Sequence, residues 1–312
     1  PKRNKMQLQK TIGKAVSLEG VGIHRGKKSH VLLTPASLNT GIVFKPANPK
    51  SSTGIVARVD NLVCTKNAIT IGRDGYSIQT IEHFMAVFYV LGITNLYVIV
   101  DGEELPILDG SSIKILEAVK EAGIVFQEDY SEVFSIPYPI WIEEDGKYLI
   151  ALPGDGFRIT YTIDFSSKSR AIGTQTAHFN VTPEIFEESI APARTFGFFE
   201  DMDDLRSNNL GLGGSLENAL IYTRDELLNP NLRFANECVR HKILDLIGDL
   251  SLVGFQLRGY FIAHKSGHSM DMEMVKRIRR IASRSKRYKV LPRELVKRKE
   301  REFLRFRKKI NL

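Results

Sequence analysis

His83 directly follows Glu82 in the run Thr80-Ile81-Glu82-His83. Neighbours on a helix point ~100° apart, so the two side chains can converge on one point while doing different jobs. A carboxylate beside a metal-binding imidazole suits a general base next to an activated water. Thr80 is the expected N-cap of this helix. Further on, His241 and Asp245 stand one turn apart on one helix face, within the run from His241 through Lys242 to Asp249. That spacing lets an imidazole and a carboxylate grip one ion, as paired i, i+4 ligands do in zinc-binding helices. Joined by His83, the set is two nitrogens and one oxygen. It leaves a tetrahedral Zn2+ one open position, the mark of a catalytic site, and Fe2+ accepts the same set. His268, in Ser266-Gly267-His268, falls at an expected strand-to-helix junction. There it could protonate a leaving amine while Asp249 holds its ring.

Each cluster also has a plainer reading. His83 alone fits a satisfied core histidine, His241 with Asp245 fits a surface pair, Lys242 fits a solvated side chain, and Gly267-His268 fits a turn. The chain has only seven histidines, and three of them fall beside acids in these clusters, which favours one joint site.

The elements around the clusters follow from periodicity and turn residues. Short alternating runs at Val31 to Leu33, Gly41 to Phe44 and Gly54 to Val59 predict strands, punctuated near Pro46 to Pro49 and Ser51-Ser52. A helix is expected over Ile81 to Leu91, a strand over Leu96 to Val100, and a helix over Ser112 to Ala122 with Gly123 as its stop. The order then repeats. Strands are expected at Val133 to Ile136, Ile140 to Glu143, Tyr148 to Leu152 and Arg158 to Phe165. A helix over Cys238 to Val253, a strand over Tyr260 to His264 and a helix from Ser269 complete the second set. This predicts an α+β fold of two similar domains, 1–128 and 131–285, followed by a basic extension, 286–312. A long irregular segment rich in Phe, Gly and Asn, about 197–216 at its core, reads as functional.

Composition sets the remaining bounds. With 312 residues, 43% of them hydrophobic, the chain can bury cores for two domains. No apolar run approaches the ~20 residues of a membrane-spanning helix, and no signal-peptide core follows the basic N-terminus. Two distant cysteines fit a reducing cytoplasm. The net charge of +8 is unevenly spread: Lys276 to Leu312 holds 17 Lys or Arg against 3 Glu, so the body is mildly acidic. Nucleic-acid binding by the body is therefore not expected.

The motifs together resemble the UDP-3-O-acyl-N-acetylglucosamine deacetylase family. They are Gly20-Val21-Gly22-Ile23-His24, Thr80 to His83, Glu104-Leu105-Pro106-Ile107-Leu108-Asp109-Gly110-Ser111, Ala193-Arg194-Thr195-Phe196-Gly197-Phe198, Gly213 to Asn218, His241 to Asp249 and Gly267-His268. They occur in the family's order over roughly Gln9 to Asp271. The resemblance implies a zinc-dependent hydrolase of the 2-acetamido group of an acylated UDP-amino sugar, in lipid A biosynthesis. It implies two β-α-α-β domains with their helices packed between the sheets. His83, His241 and Asp245 would bind the metal, Glu82 would be the base, and His268, oriented by Asp249, the acid or a positive partner. Thr195 would donate to the oxyanion, Lys242 and Phe196 would contact the sugar, and His24 would lie near the diphosphate. The insert would form the acyl passage with Phe198, Phe199, Leu205, Leu210 and Leu212. Tyr161 and Phe165 are the stacking candidates for the uracil, and the chain is expected to be a monomer.

Two positions depart from the family pattern. Asp271 stands where the family usually has Asn, and its charge is expected to favour the imidazolium of His268. Thr94 replaces an aspartate, a change expected to be neutral. The basic extension is a solvated tail on one reading and a weak contact with anionic membrane on another. Two rival functions stay open: an RNA-binding protein that uses this tail, and a zinc hydrolase acting on a different amide.

Overall fold

The structure, a computed structural model, describes residues 6–48, 54–288 and 293–310. The basic N-terminus, the Ser51-Ser52 turn and the start of the C-terminal extension lie outside the described residues.

Strands form where side chains alternate. In Lys28–Pro35, Ser29, Val31 and Leu33 turn inward, and in Gln256–His264 Leu257, Gly259, Phe261 and Ala263 do so. Five strands of the first half make one sheet, ordered Val16–Val21, Lys28–Pro35, Leu96–Asp101, Ile42–Pro46, Ile55–Val56. Seven strands make the second, in which Gln256–His264 pairs with Ile124–Ser135 and Phe157–Asp164 in parallel and with Lys147–Leu152 in antiparallel fashion. Ile124–Ser135 runs unbroken through the position where a domain boundary was expected. Its early residues pair with Met6–Ile12 and its end with Gln256–His264.

Seven helices occur among the described residues: α1 (Glu82–Leu91), α2 (Ile113–Ala122), α3 (Pro183–Ser189), α4 (Met202–Ser207), α5 (Glu237–Ser251), α6 (His268–Tyr288) and α7 (Arg293–Lys309). Helix, strand, helix thus follow the sheet strands in both halves. None is long and apolar enough to cross a membrane. α1 is buried on nearly every side and α5 is buried at all but two positions, which is how a helix looks when it lies between layers rather than on a surface. The two pack on each other between the sheets, and one continuous apolar core spans both halves.

Several elements differ from expectation. Thr80 is not the N-cap of α1; Ile81 is, and Thr80 adopts a left-handed φ of +61°. A β-branched residue there is strained, and its hydroxyl donates to Glu104 instead of capping. The strand Thr174–Asn180 was not anticipated because it is a polar edge strand, with Ala177 its only buried residue. The three-stranded sheet over Leu62–Cys64, Thr70–Arg73 and Tyr76–Gln79 was missed for a similar reason: its runs are too short to show a period. Thr94 has a structural part of its own. Its hydroxyl accepts from the Lys10 amide and donates to the Lys10 carbonyl, which pins the first strand to the α1–strand junction. Cys64 and Cys238 are both free.

The halves approach closely where α5 crosses the start of α1. A Cβ on Gly248 would stand 2.1 Å from the carbonyl oxygen of Glu82 and 2.8 Å from its carbonyl carbon. Both are backbone atoms, so neither can swing away. Gly248→Ala is expected to destabilise the fold by ~1–3 kcal/mol or more through overpacking, lowering Tm by several degrees in calorimetry. An unchanged Tm would contradict the crossing.

Candidate active site

Each candidate side chain is fixed by an element end or a helix face. α1 contributes Glu82 and His83 from its first turn. α5 contributes His241, Asp245 and Asp249 from one face, with Gly248 admitting α1. α6 contributes His268 as its first residue, after Lys265 in a left-handed conformation (φ +54°). Two strained residues, Thr80 and Lys265, thus set the entry of two site helices, which is where strain collects in functional regions.

The side chains His83, His241 and Asp245 are all buried, and their ligand atoms lie within 4.8 Å of one another. Oδ1 of Asp245 is 3.6 Å from Nε2 of His83 and 3.4 Å from Nε2 of His241. Ligand atoms of a tetrahedral metal site with bonds of 2.0–2.2 Å would stand ~3.3–3.6 Å apart, so this spacing fits an ion held by all three. Nδ1 of His241 lies 3.0 Å from the Ala193 carbonyl. A carbonyl only accepts, so Nδ1 carries the hydrogen and Nε2 keeps its lone pair for the site. Burial drives His83 down to about 3 and lowers His241 as well, so both rings are neutral. Burial alone would raise Asp245, but Lys242 and the imidazoles hold it well below the usual carboxylate range. The donor set of two neutral imidazoles and one carboxylate suits a transition-metal ion.

Glu82 accepts the Ile69 amide on Oε2, which leaves Oε1 turned toward Nε2 of His268 at 4.0 Å. Burial pushes its carboxyl up to about 8; a cation bound nearby would oppose that. Nδ1 of His268 is 2.6 Å from Oδ2 of Asp249, which fixes the ring with Nε2 facing Glu82.

Asp271 gives a different result from the one its charge suggested. Asp249 and Asp271 are fully buried side by side, and burial raises both well above the ordinary value. Oδ1 of Asp249 is buried and receives no N–H or hydroxyl, so the Asp271 carboxyl satisfies it only when protonated. Ser266 donates to the other side of Asp271. Both carboxyls are drawn toward the neutral acid, so burial opposes the charge that Asp271 was expected to place beside His268.

These groups face a cavity of about 260 Å³. Its polar end holds His24, Glu82, His83, Thr195, His241 and His268, and its apolar end holds Phe196, Phe198, Met202, Leu205 and Ile221. Thr195 is positioned by backbone bonds to Gly110 and Leu220. Phe196 stands edge-on to His241, with ring centroids 6.5 Å apart. Lys242 is not solvated and does not line the cavity: its ammonium lies 2.8 Å from Oδ2 of Asp245. The insert supplies Phe198 and Leu205 to the cavity, whereas Phe199 and Leu212 are about half exposed, at 55% and 50%. Tyr161 is fully buried and donates to the Ser266 carbonyl, so it offers no face for stacking. Phe165 packs against Phe196 and Phe198 behind the cavity.

Glu104 was quoted only as part of a motif, yet it organises one wall. It is buried, and it accepts the amides of His24 and Arg25 and the hydroxyl of Thr80. A Cβ on Gly22 would fall 2.2 Å from its carboxylate. Its spacing from these partners in sequence, 80 residues from His24, gave no signal.

Fold and site together define a two-half α+β protein with a candidate metal centre between the halves and the buried carboxyl of Glu82 beside it. The family profile described as UDP-3-O-acyl N-acetylglycosamine deacetylase matches residues 9–280. A protein of Leptospira biflexa named UDP-3-O-acyl-N-acetylglucosamine deacetylase is 43% identical over 270 residues, covering 86% of this chain and 88% of its own. Proteins of the same name are 41% identical in Thermodesulfovibrio yellowstonii (88% and 92% covered) and 38% in Trichormus variabilis (86% and 98%). The chain belongs to the UDP-3-O-acyl-N-acetylglucosamine deacetylase family.

Because burial draws Asp271 toward the neutral acid, Asn should replace it with little electrostatic change. The Asp271→Asn enzyme is expected to give a pH–rate profile that overlays the parent's. A displaced limb would restore the charge-based account.

Proposed function

We propose that this chain hydrolyses the 2-acetamido group of UDP-3-O-acyl-N-acetylglucosamine, releasing acetate and the free amino sugar nucleotide in lipid A biosynthesis. The metal would be Zn2+ held by His83, His241 and Asp245, and Fe2+ would fit the same donors. The observation that carries this reading is the spacing of those three ligand atoms beside the free oxygen of Glu82. The family and the names of the relatives supply the substrate. Bound there, the metal would polarise the amide carbonyl and lower the pKa of a water to ~7.

The chain's own groups then divide the work. Glu82 has one oxygen occupied by the Ile69 amide and one free. The free oxygen takes the proton of the water as its oxygen bonds to the carbonyl carbon. Thr195 donates to the oxyanion so formed; losing one such donor commonly costs ~10²–10³ in rate. His268, aligned by Asp249, delivers a proton to the nitrogen as the C–N bond breaks. Lys242 acts through Asp245, holding that carboxylate ionised and in place. Phe198, Met202, Leu205 and Ile221 would receive the acyl chain in the apolar limb, and His24 and Phe196 would border the sugar nucleotide.

The test is metal content by elemental analysis, paired with acetate release from the acylated UDP-sugar. The parent is expected to hold one metal per chain, and His241→Ala to lose metal and activity together. Glu82→Gln is expected to keep its metal and lose ~10²–10⁴ in kcat. A parent that binds metal but releases no acetate would overturn the substrate, and one that binds none would overturn the mechanism.

A further inference from the structure

The basic extension is neither a disordered tail nor a fully solvated helix. In the second sheet Leu149 and Ala151 join the main core, while Ile150 between them faces the opposite way. α7 covers that outer face. Phe303 and Phe306 are buried against Trp141, their rings 5.7 and 5.4 Å from it. Lys309 pairs with Glu143 at the edge. The apolar side of α7 is therefore already committed to the protein.

Its other side is not. Lys297, Arg301, Leu304 and Lys308, spaced four, three and four apart, form one exposed stripe opposite the phenylalanines. Arg298, Arg305 and Arg307 flank it, also exposed. Leu304 is 52% exposed amid these cations. Of the three acids of α7, Glu302 is engaged by Lys299 and Arg298, and the exposed Glu294 and Glu300 leave the cations in clear excess. On the sheet-facing side of α7, a cleft of about 400 Å³ opens between α6 and α7, lined by Arg277, Arg280, Arg284 and Lys299 over Trp141 and Tyr138. Arg277 is held by Glu273 and Lys299 by Glu302, whereas Arg280 and Arg284 have no acidic partner among the described residues. The family match ends at residue 280, so α7 lies beyond it.

We propose that the outward face of α6 and α7 seats the protein on an anionic phospholipid surface. Lipid phosphates enter the cleft at Arg280 and Arg284, the α7 stripe lies on the headgroups, and Leu304 dips into the interface. The charge is complementary to such a surface, and an exposed aliphatic side chain at its centre suits lipid. Single-stranded nucleic acid would call for exposed aromatic rings to stack on, and the two rings of α7, Phe303 and Phe306, are buried against the sheet. Since the apolar face of α7 is occupied by the sheet, attachment is mainly electrostatic and reversible by salt.

Sedimentation of the full chain with vesicles tests this. Binding is expected with vesicles containing phosphatidylglycerol, not with phosphatidylcholine alone, and is expected to fall at high salt. Each surface cation contributes about fivefold, so Lys297→Gln, Arg301→Gln and Lys308→Gln combined should weaken binding ~100-fold. Leu304→Ser should weaken it a few-fold, by the loss of one inserted aliphatic side chain. Trp141, the only tryptophan, reports whether α7 stays docked: its emission should not change in these variants, nor should acetate release from dispersed substrate. The proposal is overturned if the triple variant with unchanged Trp141 emission sediments like the parent, or if phosphatidylcholine binds equally well. It is overturned too if inorganic phosphate displaces the protein fully, which would mark a free-anion site, or if single-stranded RNA outcompetes the vesicles.

Discussion

The absence of a side chain at Gly248 lets α5 meet the backbone of Glu82, and the site is assembled across that contact. On one side of the crossing stand Glu82 and His83, and on the other His241, Asp245 and Asp249. A ligand set split between two helices keeps its spacing only if the helices cannot slide, and close-packed backbones resist sliding. The other supports are local. Thr80 and Lys265 hold left-handed conformations just before α1 and α6, so that each helix begins where its first turn faces the cavity. Glu104 ties Thr80 to the His24 loop, which joins the entry of α1 to the opposite wall.

Burying so many ionisable groups is costly unless they offset one another. The site does this by unequal division. Asp245 is kept ionised by Lys242, and burial keeps the two imidazoles beside it neutral. Glu82 is pushed toward the neutral acid. Asp249 and Asp271, buried side by side, are both drawn toward the neutral acid, and the Asp249 oxygen that is partnered meets His268. Neighbouring carboxyl groups driven to different protonation states are a common way for one site to hold both an acid and a base. A cation among His83, His241 and Asp245 would complete the balance, because the described groups around it leave unneutralised carboxylate charge.

Much of this was legible in the residues. The i, i+4 pair on α5, the adjacent Glu82 and His83, and the repeat of strand, helix, strand and helix all follow from period and spacing. What stayed hidden depended on contacts between residues distant in sequence. Lys242 read as solvated because a lysine on a helix usually is; Asp245 stands only three residues on along the same helix, but that α5 is buried between the sheets follows from the fold. Asp271 read as a charge because its neighbour Asp249 lies 22 positions away, on another helix. Tyr161 read as a stacking ring because alternation shows which residues share a face but not which face is covered. Thr80 misled by its residue type: Thr is a good N-cap, and here it serves as a strained hinge bound to Glu104. Such breaches of a local rule gather where tertiary structure overrides propensity for the sake of a site.

The charge distribution follows the same logic at larger scale. An average of +8 hides a mildly acidic body and a C-terminal stretch, from Lys276 through the extension, of 17 cations against 3 acids. Had that extension remained unstructured, its charge would form a diffuse cloud without a preferred orientation. Docked through Phe303 and Phe306 on Trp141, it becomes a fixed basic plane on the outer face of one sheet. A fixed plane is oriented relative to the rest of the molecule, so whatever surface it meets also sets how the body is presented to it. The apolar anchor thus gives direction to an electrostatic contact that, as a free tail, would have carried affinity alone.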